Sequence, residues 1–151
     1  MYLLNRITKL IKLIKNKTWR KGIYKNVAAN IELQNLVKDL NFSTVIDVGS
    51  NKGQFIMLIE GLFESKYIYS FEPIKEVLEK QKKLFKYKKN IFFFNHALGS
   101  NSTNKNFYIT KRIDSSSFLK VRESSKNNNY NIKEKRSISI KALDDVFAKT
   151  N

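Results

Sequence analysis

The sequence predicts an α/β fold with parallel strands, on two observations. Three short runs rich in β-branched and aromatic residues, Thr44-Val45-Ile46-Asp47-Val48, Tyr67-Ile68-Tyr69-Ser70-Phe71 and Ile91-Phe92-Phe93-Phe94, are separated by two stretches with helical spacing. Connections that long between neighbouring strands imply parallel pairing through crossover helices. With 151 residues and 42% hydrophobic content, the chain has material for one modest core.

Taken in order, the chain opens with Leu3, Leu4, Ile7, Leu10, Ile11 and Ile14 at spacings of three and four, interleaved with Arg6, Lys9, Lys12 and Lys15. This is the pattern of a basic amphipathic helix. Two readings stand for it. Residues 1–20 attach peripherally to an anionic membrane, where apolar burial and Lys/Arg attraction act together, or the stripe packs on the domain or a second subunit, the more ordinary use of such a face. Charge interrupts the apolar run too often for a membrane span, and no signal-peptide core is visible, so the expected location is the cytoplasm, with the inner membrane face as an option.

Residues 27–40 repeat the helical spacing through Ile31, Leu33, Leu36, Val37 and Leu40. The division that follows is a helical extension over residues 1–40 and a domain over 41–151. The first strand reads as buried and ends at Gly49; a helix is predicted from Gly53 to Phe63. The second strand ends at Glu72-Pro73, where proline can open the next helix, which runs from about Ile74 to Phe85. The third strand closes at Asn95-His96-Ala97-Leu98-Gly99. Beyond it, Phe107-Tyr108-Ile109-Thr110 and Ser137-Ile138-Ser139-Ile140 read as strands of an insertion. Between them, Ser115, Ser116 and Ser117 could line a site or form a plain polar turn, and Asn127-Asn128-Asn129 reads as a loop. Leu143-Asp144-Asp145-Val146-Phe147 reads as the start of another helix.

Composition narrows the chemistry. The chain has no cysteine and one histidine, which excludes disulfides, thiolate sites and a multi-histidine metal centre; no metal is expected. Lys+Arg exceed Asp+Glu by 29 to 13, a formal charge of +16. Such a surplus suits phosphate-bearing partners, yet Lys and Asn share A/T-rich codons, so base composition explains it equally well.

The most informative segment is Asp47-Val48-Gly49-Ser50-Asn51-Lys52-Gly53, between a strand and a helix. Gly49 and Gly53 suit a tight turn that a ligand can approach, and ligands of open parallel sheets sit at the carboxyl ends of the strands. The G-x-x-x-G spacing fits neither the dinucleotide fingerprint nor a P-loop. Asp47 and Glu72 are acids near the turn. Glu72, ending the neighbouring strand, could accept hydrogen bonds from a ribose diol. Asp47 would repel a pyrophosphate but suit a ligand carrying an amine and a sulfonium.

Asp47-Val48-Gly49-Ser50-Asn51-Lys52-Gly53-Gln54-Phe55, Phe71-Glu72-Pro73, Ala97-Leu98-Gly99, Asp114-Ser115-Ser116-Ser117 and Leu143-Asp144-Asp145, in that order, resemble the FkbM-type methyltransferases of the class I S-adenosylmethionine-dependent enzymes. The resemblance covers roughly residues 22–147. It implies a Rossmann-like, doubly wound sheet and O-methylation of a saccharide or small-molecule hydroxyl. It also implies a cofactor-binding set of Asp47, Gly49, Ser50, Asn51, Gly53, Phe55, Glu72, Pro73, Asn95, His96 and Ala97. Within it, residues 49–53 wrap the methionine part, Glu72 holds the ribose hydroxyls and Asn95, His96 and Ala97 lie beside the adenine, with Ser115, Ser116 and Ser117 facing cofactor or acceptor. No general base is assigned; His96, as a packing or adenine-edge contact, is a weak candidate. The ordinary alternative for Glu72 is an exposed cap on the following helix.

Members of that family continue past the Leu-Asp-Asp element into further strands. The expectation is therefore the first three parallel strands plus an insertion, an amino-terminal portion whose first strand has an uncovered edge. Two other readings are a noncatalytic remnant held at a membrane or partner by its basic helix, and an RNA-binding module. The latter is disfavoured because Phe92-Phe93-Phe94 suits a sheet covered on both faces, so no nucleic-acid partner is expected.

Overall fold

The computed structural model describes residues 2–63, 66–120 and 130–148. Asn127, Asn128 and Asn129 lie outside the described residues, as do the side chains of Leu3 and Leu4. The chain is mixed α/β and divides into two compact units, Met1–Phe94 and Asn95–Asn151.

The first unit begins with helix α1 (Tyr2–Lys15), followed by α2 (Lys17–Tyr24), which falls within the helical extension expected over residues 1–40 but was not set apart as a second helix. Its cap explains the break: the Asn16 side chain accepts the N–H groups of Thr18 (3.0 Å) and Trp19 (3.1 Å), so a new helix starts one residue after the last ends. Asn16 also donates through Nδ2 to the Gly61 carbonyl (2.9 Å), and the Trp19 indole N–H reaches the Leu58 carbonyl (3.4 Å). Gly61 makes this packing possible, because a Cβ there would lie 1.9 Å from Trp19 Nε1.

Residues 27–40 are not the helix expected. Asn26 turns the chain with φ 58°, and Val27, Ala29 and Ile31 then alternate buried with more exposed neighbours. Only a 3-10 turn (Ile31–Leu33) and one helical turn, α3 (Gln34–Val37), follow. The apolar residues at the start of this segment repeat with period 2, and burial of that extended strap outweighs the later helical spacing.

Strands β1 (Thr44–Val48), β2 (Tyr67–Phe71) and β3 (Ile91–Phe94) form a parallel sheet in the order β1-β2-β3. Helix α4 (Gln54–Leu62) connects the first pair and α5 (Lys75–Leu84) the second. The core joins Leu13, Trp19, Ala29 and Ile31 to α4 (Ile56, Met57, Leu58, Ile59), to Phe85, and to Ile68 and Ile91 of the sheet.

The opposite sheet face corrects two expectations. Ile46, Tyr69 and Phe92 are register partners across the three strands, as are Val48, Phe71 and Phe94, so they share the face that Val45, Ile68 and Ile91 do not. On it Val48 is 59% exposed, Tyr67 54% and Phe92 39%. The first strand is thus not buried, and the sheet is not covered on both faces along the phenylalanine run. Continuous apolarity suggested cover on both sides, but this face is covered only in part: Phe71 is fully buried while Val48, Tyr67 and Phe92 are not. The rings meet each other instead: Tyr69 stacks on Phe92 (centroids 5.0 Å) and Phe71 on Phe94 (4.8 Å). Among the described strands, β1 pairs only with β2 and forms an edge.

In the second unit, β4 (Ala97–Leu98) runs parallel to β6 (Ile132–Lys141), which pairs antiparallel with β5 (Thr103–Thr110), giving the order β4-β6-β5. The two long strands extend beyond the short runs expected. Helix α6 (Leu143–Phe147) closes the unit where a helix was predicted. Among the described residues, no helix is long and apolar enough to cross a membrane.

Candidate functional site

The turn after β1 sits where the carboxyl ends of β1 and β2 meet, and its backbone is built as the glycines predict. Gly49 has φ 73°, Asn51 φ 48° and Gly53 φ 84°, all in the left-handed region that side chains disfavour. A Cβ at Gly49 would meet nothing within 4 Å, whereas one at Gly53 would lie 2.8 Å from Phe85 Cε2. Gly49 therefore borders open space and Gly53 is pressed against the end of α5.

Three backbone N–H groups of the turn donate to the end of β2 and the residue after it. The N–H groups of Gly49 (2.9 Å) and Ser50 (3.1 Å) donate to the Phe71 carbonyl. The N–H of Asn51 donates to Glu72 Oε2 at 2.8 Å, while Glu72 Oε1 accepts the N–H of Ile74 at 2.8 Å. Glu72 is therefore no exposed cap: it is buried and braces both the turn and the entry to α5. Pro73 precedes that helix by two residues.

Beneath the turn lies a polar cluster that sequence reasoning missed in part. Ser50, Ser70 and Gln81 are all buried. The Ser70 hydroxyl donates to Gln81 Oε1 (2.9 Å) and lies 2.7 Å from Ser50 Oγ, and Gln81 Nε2 donates to Ser50 Oγ (2.8 Å) and to the Asn51 carbonyl. A signal was present: Ser70 interrupts an otherwise apolar and aromatic strand, and Gln81 occupies the helical stripe of Val77, Leu78 and Phe85. Polar residues on core-facing positions need partners.

Two acceptors at the turn have none. Asp47 Oδ2 and Asn51 Oδ1 are buried side-chain oxygens without a hydrogen-bond partner. Burial, and secondarily the nearby Glu72 charge, push Asp47 up from an ordinary 3.8 to about 6. Burial also raises Glu72, against the lowering effect of its two backbone hydrogen bonds. Lys52, from the same turn, lines a groove with Lys25, Lys80 and Lys83, a concentrated part of the positive surplus.

Of the predicted site residues, Asp47, Gly49, Ser50, Asn51, Gly53, Glu72 and Pro73 belong to this turn and its neighbour strand. Phe55, in the first turn of α4, packs on the core. Asn95, His96 and Ala97 fall in the second unit, with Ala97 in β4; His96 is buried there, its pKa lowered by burial and by Lys141. Ser115, Ser116 and Ser117 lie in a turn beside β5 in the same unit. Ser116 Oγ accepts the Thr110 N–H (3.1 Å), Ser117 Oγ accepts the Leu119 N–H (3.1 Å), and Ser117 bridges Tyr108 through the backbone. Among the described residues no cluster of metal-binding side chains occurs.

Fold and site together define an α/β domain with a glycine turn and two carboxylates at the carboxyl end of a parallel sheet. The chain matches no family model, no curated protein and no solved structure.

Proposed function

We propose that the turn after β1 binds S-adenosylmethionine and that the chain is a class I methyltransferase domain of Rossmann-like type, acting on a hydroxyl of a saccharide or small molecule. The observation that carries this reading is the pair of buried, unpartnered acceptors, Asp47 Oδ2 and Asn51 Oδ1, on a turn whose first glycine borders open space. Buried acceptors without donors are costly, and a ligand bearing an ammonium and hydroxyl groups supplies donors. A pyrophosphate supplies only acceptors and would face the two carboxylates.

The residues fit such a ligand in chemical type. Asp47 and Asn51 would take donors from its amino-acid end. Glu72 accepts one N–H at each oxygen, which fixes its carboxylate beside the turn, where it would meet ribose hydroxyls as a charged acceptor. When bound, the cofactor supplies an activated methyl on a sulfonium. The turn's own contribution is positional: the Ser50–Ser70–Gln81 cluster and Glu72 fix the backbone so that little is ordered on binding.

One observation favours a second reading, a surface for single-stranded RNA: the half-open face carrying Tyr67, Tyr69 and Phe92, since exposed sheet aromatics stack on bases. Calorimetric titration with S-adenosylhomocysteine separates the two. Saturable binding to the full chain, lost in Asp47→Asn while the fold persists, supports the methyltransferase reading. Absence of that binding, with salt-sensitive binding of oligouridine weakened by Tyr69→Ala, replaces it with the second.

A further inference from the structure

From the way α1 is seated we infer that the first helix docks the protein on an anionic lipid surface. Only one apolar side chain among those described in α1, Leu13, is buried. Ile7, Leu10, Ile11 and Ile14 stand between 46% and 50% exposed. At 100° per residue these four span about a quarter of the helix circumference, on a flank that the domain leaves open. These four side chains therefore stand outside the core, which leaves, of the ordinary reading of the stripe, only packing on a second subunit.

The charge on either side selects the occupant. Helices α1 and α2 contain Arg6, Lys9, Lys12, Lys15, Lys17, Arg20 and Lys21 and no acidic residue. Lys9 is engaged by Glu32 at 2.9 Å, which anchors the inner side of the helix to the strap after α2. Lys12 and Lys15 are exposed, make no ion pair among the described residues, and fall on the outward side of the stripe. A second copy of the same helix would bring cation against cation. A bilayer carrying anionic headgroups accepts both features, taking the Ile/Leu stripe into the acyl boundary and holding the lysines at headgroup level. This docking is independent of the cofactor reading, since none of these residues belongs to the turn.

The test uses the full chain in co-sedimentation with phosphatidylcholine vesicles with and without phosphatidylglycerol. Binding to the anionic vesicles only is expected. The Ile7→Gln/Ile11→Gln protein should bind about 10-fold or more weakly, because both side chains lose their apolar burial, and Lys12→Gln/Lys15→Gln should weaken binding several-fold. Both variants should keep the parent circular-dichroism melt, as the altered side chains are exposed. Three results overturn the inference: no binding to anionic vesicles; binding that the isoleucine substitutions leave unchanged; or a concentration-dependent dimer abolished by those substitutions, which would assign the stripe to a second copy.

Discussion

Replacing Asp47 by Asn should stabilise the protein at neutral pH while removing its ligand. The carboxyl titrates near 6 in the fold against an ordinary 3.8, so the native state disfavours the ionised form. Below about pH 3 the group is protonated whether the chain is folded or not, and the penalty is absent. Between about pH 4 and pH 6 the unfolded chain ionises this group while the folded one holds its proton, so stability falls, and above 6 the folded protein carries the full penalty of the buried charge. A shift of about two units corresponds to about 3 kcal/mol at pH 8. Partial solvent access and the unpartnered amide left by Asn reduce the expected net gain to about 1–2 kcal/mol. Urea unfolding at pH 3 and pH 8 reads both effects: the variant should match the parent at the lower pH and exceed it at the higher. If Asp47→Asn is less stable than the parent at pH 8, the carboxyl has a donor and the argument from unsatisfied burial is wrong.

Other substitutions probe the scaffold. Gln81→Leu takes one partner each from Ser50 Oγ and Ser70 Oγ, which keep each other, and removes the side-chain donor to the Asn51 carbonyl; it should cost about 2–4 kcal/mol by chemical denaturation. Gly53→Ala, at φ 84° and 2.8 Å from the Phe85 ring, should cost about 1–3 kcal/mol. Gly61→Ala would drive a Cβ into the Trp19 indole; since Trp19 is the only tryptophan, its fluorescence should red-shift as α2 is displaced, alongside a loss of about 2 kcal/mol or more.

The elements with one dominant local cause were legible in the sequence. The three strands follow from their β-branched and aromatic runs, and the turn from two glycines that both adopt positive φ. The adjacency of Glu72 to that turn follows from parallel pairing, which sets Val48 opposite Phe71. What escaped notice depends on long-range partners. Gln81 is visible as a polar residue on the core-facing stripe of α5, but its partners emerge only when the turn after β1 is laid over it. Helix α2 hides behind an Asn cap inside a lysine-rich stretch. Residues 27–31 bury alternate side chains because Asn26, just beyond the cap of α2, takes a left-handed conformation that redirects the chain, and spacing counted from Ile31 onward does not register that. Apolarity alone did not reveal that one sheet face is half open, because it does not say which layer supplies the cover.

Amide chemical shifts of isotopically labelled protein, recorded as S-adenosylhomocysteine is added, test the central claim most directly. The account predicts saturable shifts at Gly49, Ser50, Asn51 and Gly53 and at Ile74, whose N–H reports on Glu72. Shifts confined to residues outside the turn, or none at concentrations that saturate known sites for this ligand class, would contradict it.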